Sequence, residues 1–245
     1  TSSPPWDAVA DFRGKVAIVT GVGRVGQIGH AVAGALGKAG AQLVLVDRVP
    51  DVAERAREFT AQGAKARGFT GDLTKPDDAR AAVALAQKEF GRLDAVINVA
   101  GGLLHVGPAA QIPVEMLDRE FAINVKTTFL MSQAAIPALA RQGGAIVNFA
   151  SIAVLEPQAQ MASYVAAKAA IAGFTRALAL ELAPQKIRVN AVAPAAARTA
   201  DNIKSMGDLP ELVPLDALVA AVLYLASDDA RAVTGEILPV TGRGI

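Results

Sequence analysis

Tyr164 and Lys168 stand four residues apart in Tyr164-Val165-Ala166-Ala167-Lys168, a spacing that puts two side chains on one face of a helix. A cation beside a phenol favours phenolate. The pair is therefore expected to lower a pKa that is ordinarily about 10 and to make Tyr164 a proton donor or acceptor near neutral pH. The chain has nine lysines and two tyrosines, so one such pair can arise by chance and its neighbours must decide. Ser151 lies thirteen residues before Tyr164, at the end of an apolar run, where a hydroxyl can meet a reacting oxygen; its competing reading is a turn or helix cap.

Upstream, the run 16–20 leads into Gly21-Val22-Gly23-Arg24-Val25-Gly26-Gln27-Ile28-Gly29, and a helical pattern follows at once. Glycines there permit a tight turn and let backbone N–H groups and a helix N-terminus approach a pyrophosphate. A glycine cluster alone also fits a flexible loop; the strand before and the helix after favour a dinucleotide turn. Asp47 ends the next apolar run, 26 residues after Gly21, near the ~20 expected of the carboxylate that bonds an adenosine ribose. An N-cap is the alternative, although Asp47 lies several residues before the helix. A carboxylate there repels a 2′-phosphate, which favours NAD over NADP, while Arg24 and Arg48 act in the opposite sense.

Positioning these groups requires strands and helices in alternation, and the chain supplies them from end to end. Runs at 16–20, 42–46, 64–70, 95–99, 145–150, 188–192 and 236–240 read as strands, several of them bare apolar stretches of the kind that is covered on both faces. Helical patterns occupy 30–39, 52–62, 76–90, 113–140, 161–183 and 215–226. Gly40, Gly63 and Gly91 follow helix ends as left-handed stops, and Pro76 with Asp77 and Asp78 opens a first turn. Strands separated by such helices need right-handed parallel crossovers. The expected fold is α/β: a doubly wound, Rossmann-type parallel sheet of about seven strands with helices on both faces, one domain over 1–245 with a flexible arm at 1–12. The irregular stretch 195–210 is a candidate lid.

Composition narrows the function classes. With 52% hydrophobic residues in 245, the chain can bury roughly 70–75% of its unfolded surface, which excludes charge-rich disorder. Zero cysteines exclude disulfide scaffolds, thiolate-held metals and thiol nucleophiles, and two histidines make a histidine metal site improbable, so no metal is expected. A net charge of +1 with interspersed signs offers no basic stripe for nucleic acid. No apolar stretch approaches the ~20 residues of a membrane span, and Thr1 to Asp7 has no signal-like pattern. A soluble, cytoplasmic protein is expected.

Taken together, Gly21 to Gly29, Asp47, Asp72-Leu73, Asn98-Val99-Ala100-Gly101, Asn124, Ser151, Tyr164-x-x-x-Lys168 and Asn190-Ala191-Val192-Ala193-Pro194 with Thr199 resemble the short-chain dehydrogenase/reductase family over nearly the whole chain. The resemblance implies a nicotinamide-dependent oxidoreductase that interconverts a secondary alcohol and a ketone. It makes Tyr164 the general acid/base, Lys168 its pKa-lowering partner and a ribose ligand, Ser151 a donor to the reacting oxygen, and Asn124 the holder of a relay water. Gly21, Gly23, Gln27 and Ile28 would meet the cofactor together with Asp47. Asp72 and Leu73 would contact adenine, and Asn98, Ala100 and Gly101 would form the strand end beside the cofactor. Pro194 and Thr199 would face the carboxamide. Asp72 also fits an ordinary turn, and Asn98 also fits a strand-end brace.

The pattern departs from the family in three places. Seven residues separate Gly21 from Gly29, two more than usual. That spacing resembles a divergent enoyl reductase branch, but Met161 occupies the position where its tyrosine would stand. Ala195 replaces a glycine after Pro194, where an added methyl can restrict the backbone, and the chain ends through Thr241-Gly242-Arg243-Gly244 without the acidic ending. These departures motivate a second reading, a nucleotide-binding regulator or scaffold of the same fold with little or no turnover. Leu155, Gln158 and Met161 are expected to line a mainly apolar substrate pocket. His105 faces either that pocket or solvent, and His30 opens its helix. Ala162, Ala166, Ala169, Ala170 and Gly173 make a small-residue face that either packs on the sheet or joins copies into a homo-oligomer, a dimer or a tetramer by the resemblance.

Overall fold

The computed structural model describes residues 10–242. Its strands are β1 (Val16–Thr20), β2 (Gln42–Asp47), β3 (Lys65–Thr70), β4 (Ala95–Asn98), β5 (Gly144–Phe149), β6 (Ile187–Pro194) and β7 (Ile237–Val240). They form one sheet in the order β3-β2-β1-β4-β5-β6-β7, with every pairing parallel. Each expected strand is present within two residues at either end. The helices are α1 (Ile28–Lys38), α2 (Val52–Ala61), α3 (Pro76–Phe90), α4 (Val114–Phe121), α5 (Thr127–Leu139), α6 (Ala162–Leu182), α7 (Ala200–Met206) and α8 (Leu215–Ala226).

β1 shows why bare apolar runs read as central strands. All five of its residues are buried, and successive side chains alternate between two cores. Ala17 and Val19 pack with Val32 and Leu36 of α1 and Leu218 and Val222 of α8. Val16 and Ile18 pack on the opposite face with Ala82 and Val83 of α3, Met131 of α5 and Leu182 of α6. Burial of each Val or Ile there contributes about 1.5–3 kcal/mol. Helix punctuation also follows the sequence: Pro76 is at the first turn of α3, Asp77 and Asp78 meet its dipole, and Gly91 closes it at φ 77°.

Chain order reverses between β1 and β4, and at such a reversal the carboxyl ends of neighbouring strands open a ligand crevice. Three local features differ from expectation. The pattern 113–140 is interrupted by a π turn at Ala122–Lys126. The hydroxyls of Thr127 and Thr128 reach back to the carbonyls of Ile123 (2.7 Å) and Asn124 (2.8 Å) that the wider turn leaves off the α ladder. Within 195–210 the seven-residue α7 forms, capped by Thr199, a helix too short to show a period. In the arm, residues 1–9 lie outside the described residues, but Phe12 is buried in the core and its N–H donates to Ala39 O at 3.0 Å. Residues 243–245 of the C-terminal pattern also lie outside the described residues. Among the described residues no helix is long and apolar enough to cross a membrane.

Candidate active site

The glycine turn is built on close backbone approach. Gly29, in the first turn of α1, lies so near β1 that a Cβ would stand 2.2 Å from Gly21 O. Gly21 itself, at φ +74°, would place a Cβ 3.1 Å from Ala100 N. These contacts draw the N-terminus of α1 onto the ends of β1 and β4, leaving a cradle no side chain could share. The longer turn leaves this contact intact. Gly26 O accepts from Ala200 N at 3.0 Å, and Arg24 pairs with Asp201, so the turn docks on the start of α7.

A cleft of about 530 Å³ follows, lined by Gly21, Gln27, Ile28, Asp47, Arg48, Asp72, Leu73, Ala100 and Gly101. Asp47 does not cap α2. Its Oδ2 accepts from Gly23 N at 2.7 Å and its Oδ1 from Val49 N at 3.2 Å, which fixes the carboxylate at the cleft wall. Gly23 is behind it, where a Cβ would meet Val49 Cγ2 at 2.3 Å. A volume of this size, an acidic wall and an exposed helix start fit the nucleotide part of a dinucleotide. A second hollow of about 540 Å³ opens at the opposite edge of the sheet around Lys15, Asp94 and Arg188, away from Tyr164.

Beside the cleft, at the end of β5, Ser151, Tyr164 and Lys168 come together. Ser151 is extended and nearly buried, its Oγ accepting from Ala153 N at 3.2 Å, and its hydroxyl is near enough to the Tyr164 phenol to lower that group's pKa. Lys168, 5% exposed, donates from Nζ to Phe149 O at 2.8 Å and stands 5.7 Å from the centre of the Tyr164 ring. Burial pushes its ammonium down to about 8, a fall that the Glu120 carboxylate opposes. The expected lowering of the Tyr164 pKa is not what this geometry produces. Burial raises it, the Ser151 hydrogen bond lowers it, and Glu120 raises it further, because the ammonium points at a carbonyl and the ring instead of at the phenol oxygen.

Glu120 is the residue that the sequence did not single out. It is fully buried on α4. Oε1 accepts from Leu104 N at 3.1 Å, and Oε2 accepts from the Ser163 hydroxyl at 3.3 Å, so one carboxylate ties the loop after β4 to the residue before Tyr164. Its place one turn before Asn124 was the available signal. Replacement by Ala orphans the buried Ser163 hydroxyl and the half-buried Leu104 N–H and is expected to cost about 1–3 kcal/mol. Glu120→Gln, which can keep both bonds, should lose less than half of that in chemical denaturation. An equal loss in the two variants would assign the effect to charge.

Asn124 is buried in the π turn with its amide fully engaged: Oδ1 accepts from Gly102 N at 3.0 Å, and Nδ2 donates to Gly102 O and Glu120 O, both at 2.9 Å. The side chain thus anchors the Gly101-Gly102 loop.

Several other expected cofactor residues are placed differently. Asn98 turns into the core, donating to Ser132 Oγ at 3.0 Å and Asn148 Oδ1 at 2.9 Å; it braces β4 and does not line the cleft. Asp72 lines the cleft with Leu73 as expected, and its carboxylate also accepts from the Thr74 amide and hydroxyl, which hold its pKa low. Thr199 Oγ accepts from Asn202 N at 3.2 Å as the cap of α7, and neither it nor Pro194 lines the 530 Å³ cleft. Ala195 has ordinary backbone, the positive φ values among described non-glycine residues being those of Gln160 and Lys186. His30 is held by Glu58 at 3.1 Å and packs on Phe59. His105 is half-buried, with Nε2 enclosed against Gly107. Of the small-residue face, Ala162, Ala166, Ala169 and Gly173 are exposed and do not pack on the sheet.

The short chain dehydrogenase family matches residues 15–208. A 2-(S)-hydroxypropyl-CoM dehydrogenase of Xanthobacter autotrophicus is 36% identical, covering 94% of this chain and 96% of its own. A cyclohexanol dehydrogenase of Acinetobacter is 35% identical over 94% and 95%. The solved structure of a short-chain type dehydrogenase/reductase from Mycobacterium ulcerans superposes with a TM-score of 0.88 at 30% identity, covering 95% of this chain and 90% of that one. A seven-stranded doubly wound sheet, a glycine turn packed on its own strand and a serine, tyrosine and lysine gathered at one sheet edge agree with that likeness over the chain's length. The chain belongs to the short-chain dehydrogenase/reductase family, a family of oxidoreductases.

Proposed function

We propose that the chain is an NAD-dependent alcohol dehydrogenase and carbonyl reductase acting on a secondary alcohol/ketone pair, with Tyr164 as general acid/base. The observation that carries this reading is the gathering of Ser151 and Tyr164 above a buried Lys168, whose Nζ donates to Phe149 O and faces the Tyr164 ring, at the sheet edge adjoining the glycine-turn cleft. The nicotinamide, when bound, accepts or supplies the hydride. The chain's own residues handle the oxygen: the Ser151 hydroxyl donates to it, and Tyr164 Oη takes its proton during oxidation and returns one during reduction. Lys168 places a cation against the phenol ring, and its Nζ is anchored on Phe149 O. Asn124 acts by holding the loop beside this centre, and a proton relay past it would run through its backbone.

Asp47 supports NAD in preference to NADP, because its carboxylate is fixed where the adenosine ribose would lie and would repel a 2′-phosphate. Arg24 is engaged by Asp201, which leaves Arg48 and Arg119 as the opposing charges that line the cleft. The features behind a non-catalytic reading have ordinary structural explanations, in the docked turn and the unstrained Ala195. The names of the relatives span hydroxypropyl-CoM and cyclohexanol at 36% and 35% identity, so likeness alone does not select a substrate. The exposed face of α6, continued by Phe129 and Leu180, supports association of copies as a dimer or tetramer in a soluble, cytoplasmic enzyme.

The test is a fluorescence titration with NADH and NADPH side by side. NADH is expected to bind at least tenfold more tightly, and Asp47→Ala to narrow that ratio. Equal binding by the unaltered protein would assign the choice to the cleft arginines Arg48 and Arg119, and binding of neither would overturn the proposal.

A further inference from the structure

The loops that surround Ser151 and Tyr164 are almost free of charge. Residues 99–113, after β4, contain no Asp, Glu, Lys or Arg, and residues 150–161, after β5, contain only Glu156. At the chain's 19% charged residues, about five would be expected in those 27 positions. Loops over a sheet edge ordinarily carry polar residues, because they face water.

Large apolar side chains stand exposed there instead. Leu104, Val106 and Leu155 on these two loops, with Ile203, Met206 and Leu209 on and after α7, are each 37–58% exposed. All three segments follow carboxyl ends of β4, β5 and β6, neighbours in the sheet. Two hydrogen bonds fix the first two walls in place. Gly107 N donates to Gln160 O at 2.8 Å, across the two loops, and Leu104 N donates to Glu120. Gln160 is held at φ +68°, a conformation that non-glycine residues keep only where surroundings enforce it. On the third wall, Arg198 is paired with Asp208 at 2.6 Å and Asp201 with Arg24, so its charges are largely spent internally.

Resting on the alcohol/ketone reading above, we propose that the substrate is an uncharged, mainly apolar secondary alcohol or ketone, cyclic or of medium chain length, held by alkyl contact with its reacting oxygen as the chief hydrogen-bonded group. A polyol would leave its further hydroxyls against Leu104, Val106 and Leu155, where burying a polar group without a partner is unfavourable. An anionic alcohol would have Lys204 on α7 as its nearest unspent cation on this wall, on an exposed helix face. Burial of one methylene contributes about 0.8 kcal/mol, which is about fourfold in an equilibrium constant.

The experiment measures kcat/KM with NAD for the 2-alkanols from 2-propanol to 2-octanol, cyclohexanol, glycerol, threitol and 3-hydroxybutyrate, with binding of the matching ketones to the protein–NADH complex followed by nicotinamide fluorescence. We expect a rise of about threefold to fourfold per added methylene until the walls are filled, and cyclohexanol at least 100-fold above glycerol, threitol and 3-hydroxybutyrate. Leu155→Lys, an exposed position, should cut the 2-octanol value at least tenfold while leaving NADH binding unchanged. A flat or falling series, or preference for a polyol or the hydroxy acid, overturns the inference. Ketone binding that climbs with chain length in the absence of turnover would support the apolar pocket and instead sink the dehydrogenase reading; absent or length-independent ketone binding overturns the inference by itself.

Discussion

Tyr164→Phe is expected to lower kcat by about 10²–10⁴, the range that a positioned general acid/base supplies, while NADH binding stays within threefold of the unaltered protein. The substitution removes one hydroxyl and keeps the ring over Lys168. The phenol is largely desolvated, so the loss of its oxygen should move the thermal midpoint by only a few degrees. The pH dependence carries the sharper signature. Because burial raises the Tyr164 pKa, alcohol oxidation, which needs the phenolate, should climb with pH through the alkaline range. Ketone reduction needs the protonated phenol and a charged lysine beneath it. It should be flat at pH 6–7 and fall as pH passes about 8, where Lys168 loses its proton. The residual activity of the Phe variant should lose the alkaline rise in oxidation. Full activity in that variant would remove Tyr164 from the chemistry.

Gly29→Ala is expected to destabilise the fold by at least about 2 kcal/mol and to abolish nucleotide binding. Helix propensity argues the other way, since Ala exceeds Gly by about 1 kcal/mol within a helix. The contact decides: the new Cβ would lie 2.2 Å from Gly21 O and 3.1 Å from Thr20 O, and both are backbone of β1 and its turn. Relief requires α1 to move off the sheet, and overpacking of this kind costs about 1–3 kcal/mol or more. Chemical denaturation together with the NADH titration measures both effects. A variant as stable as the parent would show that the turn can flex, and the cradle could then no longer be called rigid.

What the sequence made legible is local or periodic. The strand–turn–helix around Gly21 to Gly29 and the Tyr164/Lys168 spacing are short-range patterns, and alternation of apolar runs with helical periods sufficed for the sheet. The remainder depends on three-dimensional burial. The direction of the Tyr164 pKa shift required knowing that the phenol is desolvated and that the Lys168 ammonium turns toward Phe149 O. Glu120 reads as a surface residue on an amphipathic helix until the loop at Leu104 and the start of α6 close over it. Asn98 and Thr199 were placed by type, but their side chains answer to local donors and acceptors that only the packed chain supplies. The π turn was hidden because one extra residue in a helix barely alters a hydrophobic period.

The buried lysine has a consequence for folding. An unfolded chain holds this ammonium near its ordinary 10.5, whereas the folded chain holds it at about 8. Below pH 8 both states carry the proton, and the fold bears the full cost of keeping a cation away from water, about 3 kcal/mol at 1.36 kcal/mol per pH unit. Between about 8 and 10.5 the unfolded state binds more protons than the folded one, so this group's contribution to stability rises with pH across that window and is constant on either side. The penalty is a sizeable fraction of the 5–15 kcal/mol that holds a typical domain together. The most economical way to make this protein more robust at neutral pH would be to discharge the very residue that the proposed chemistry uses.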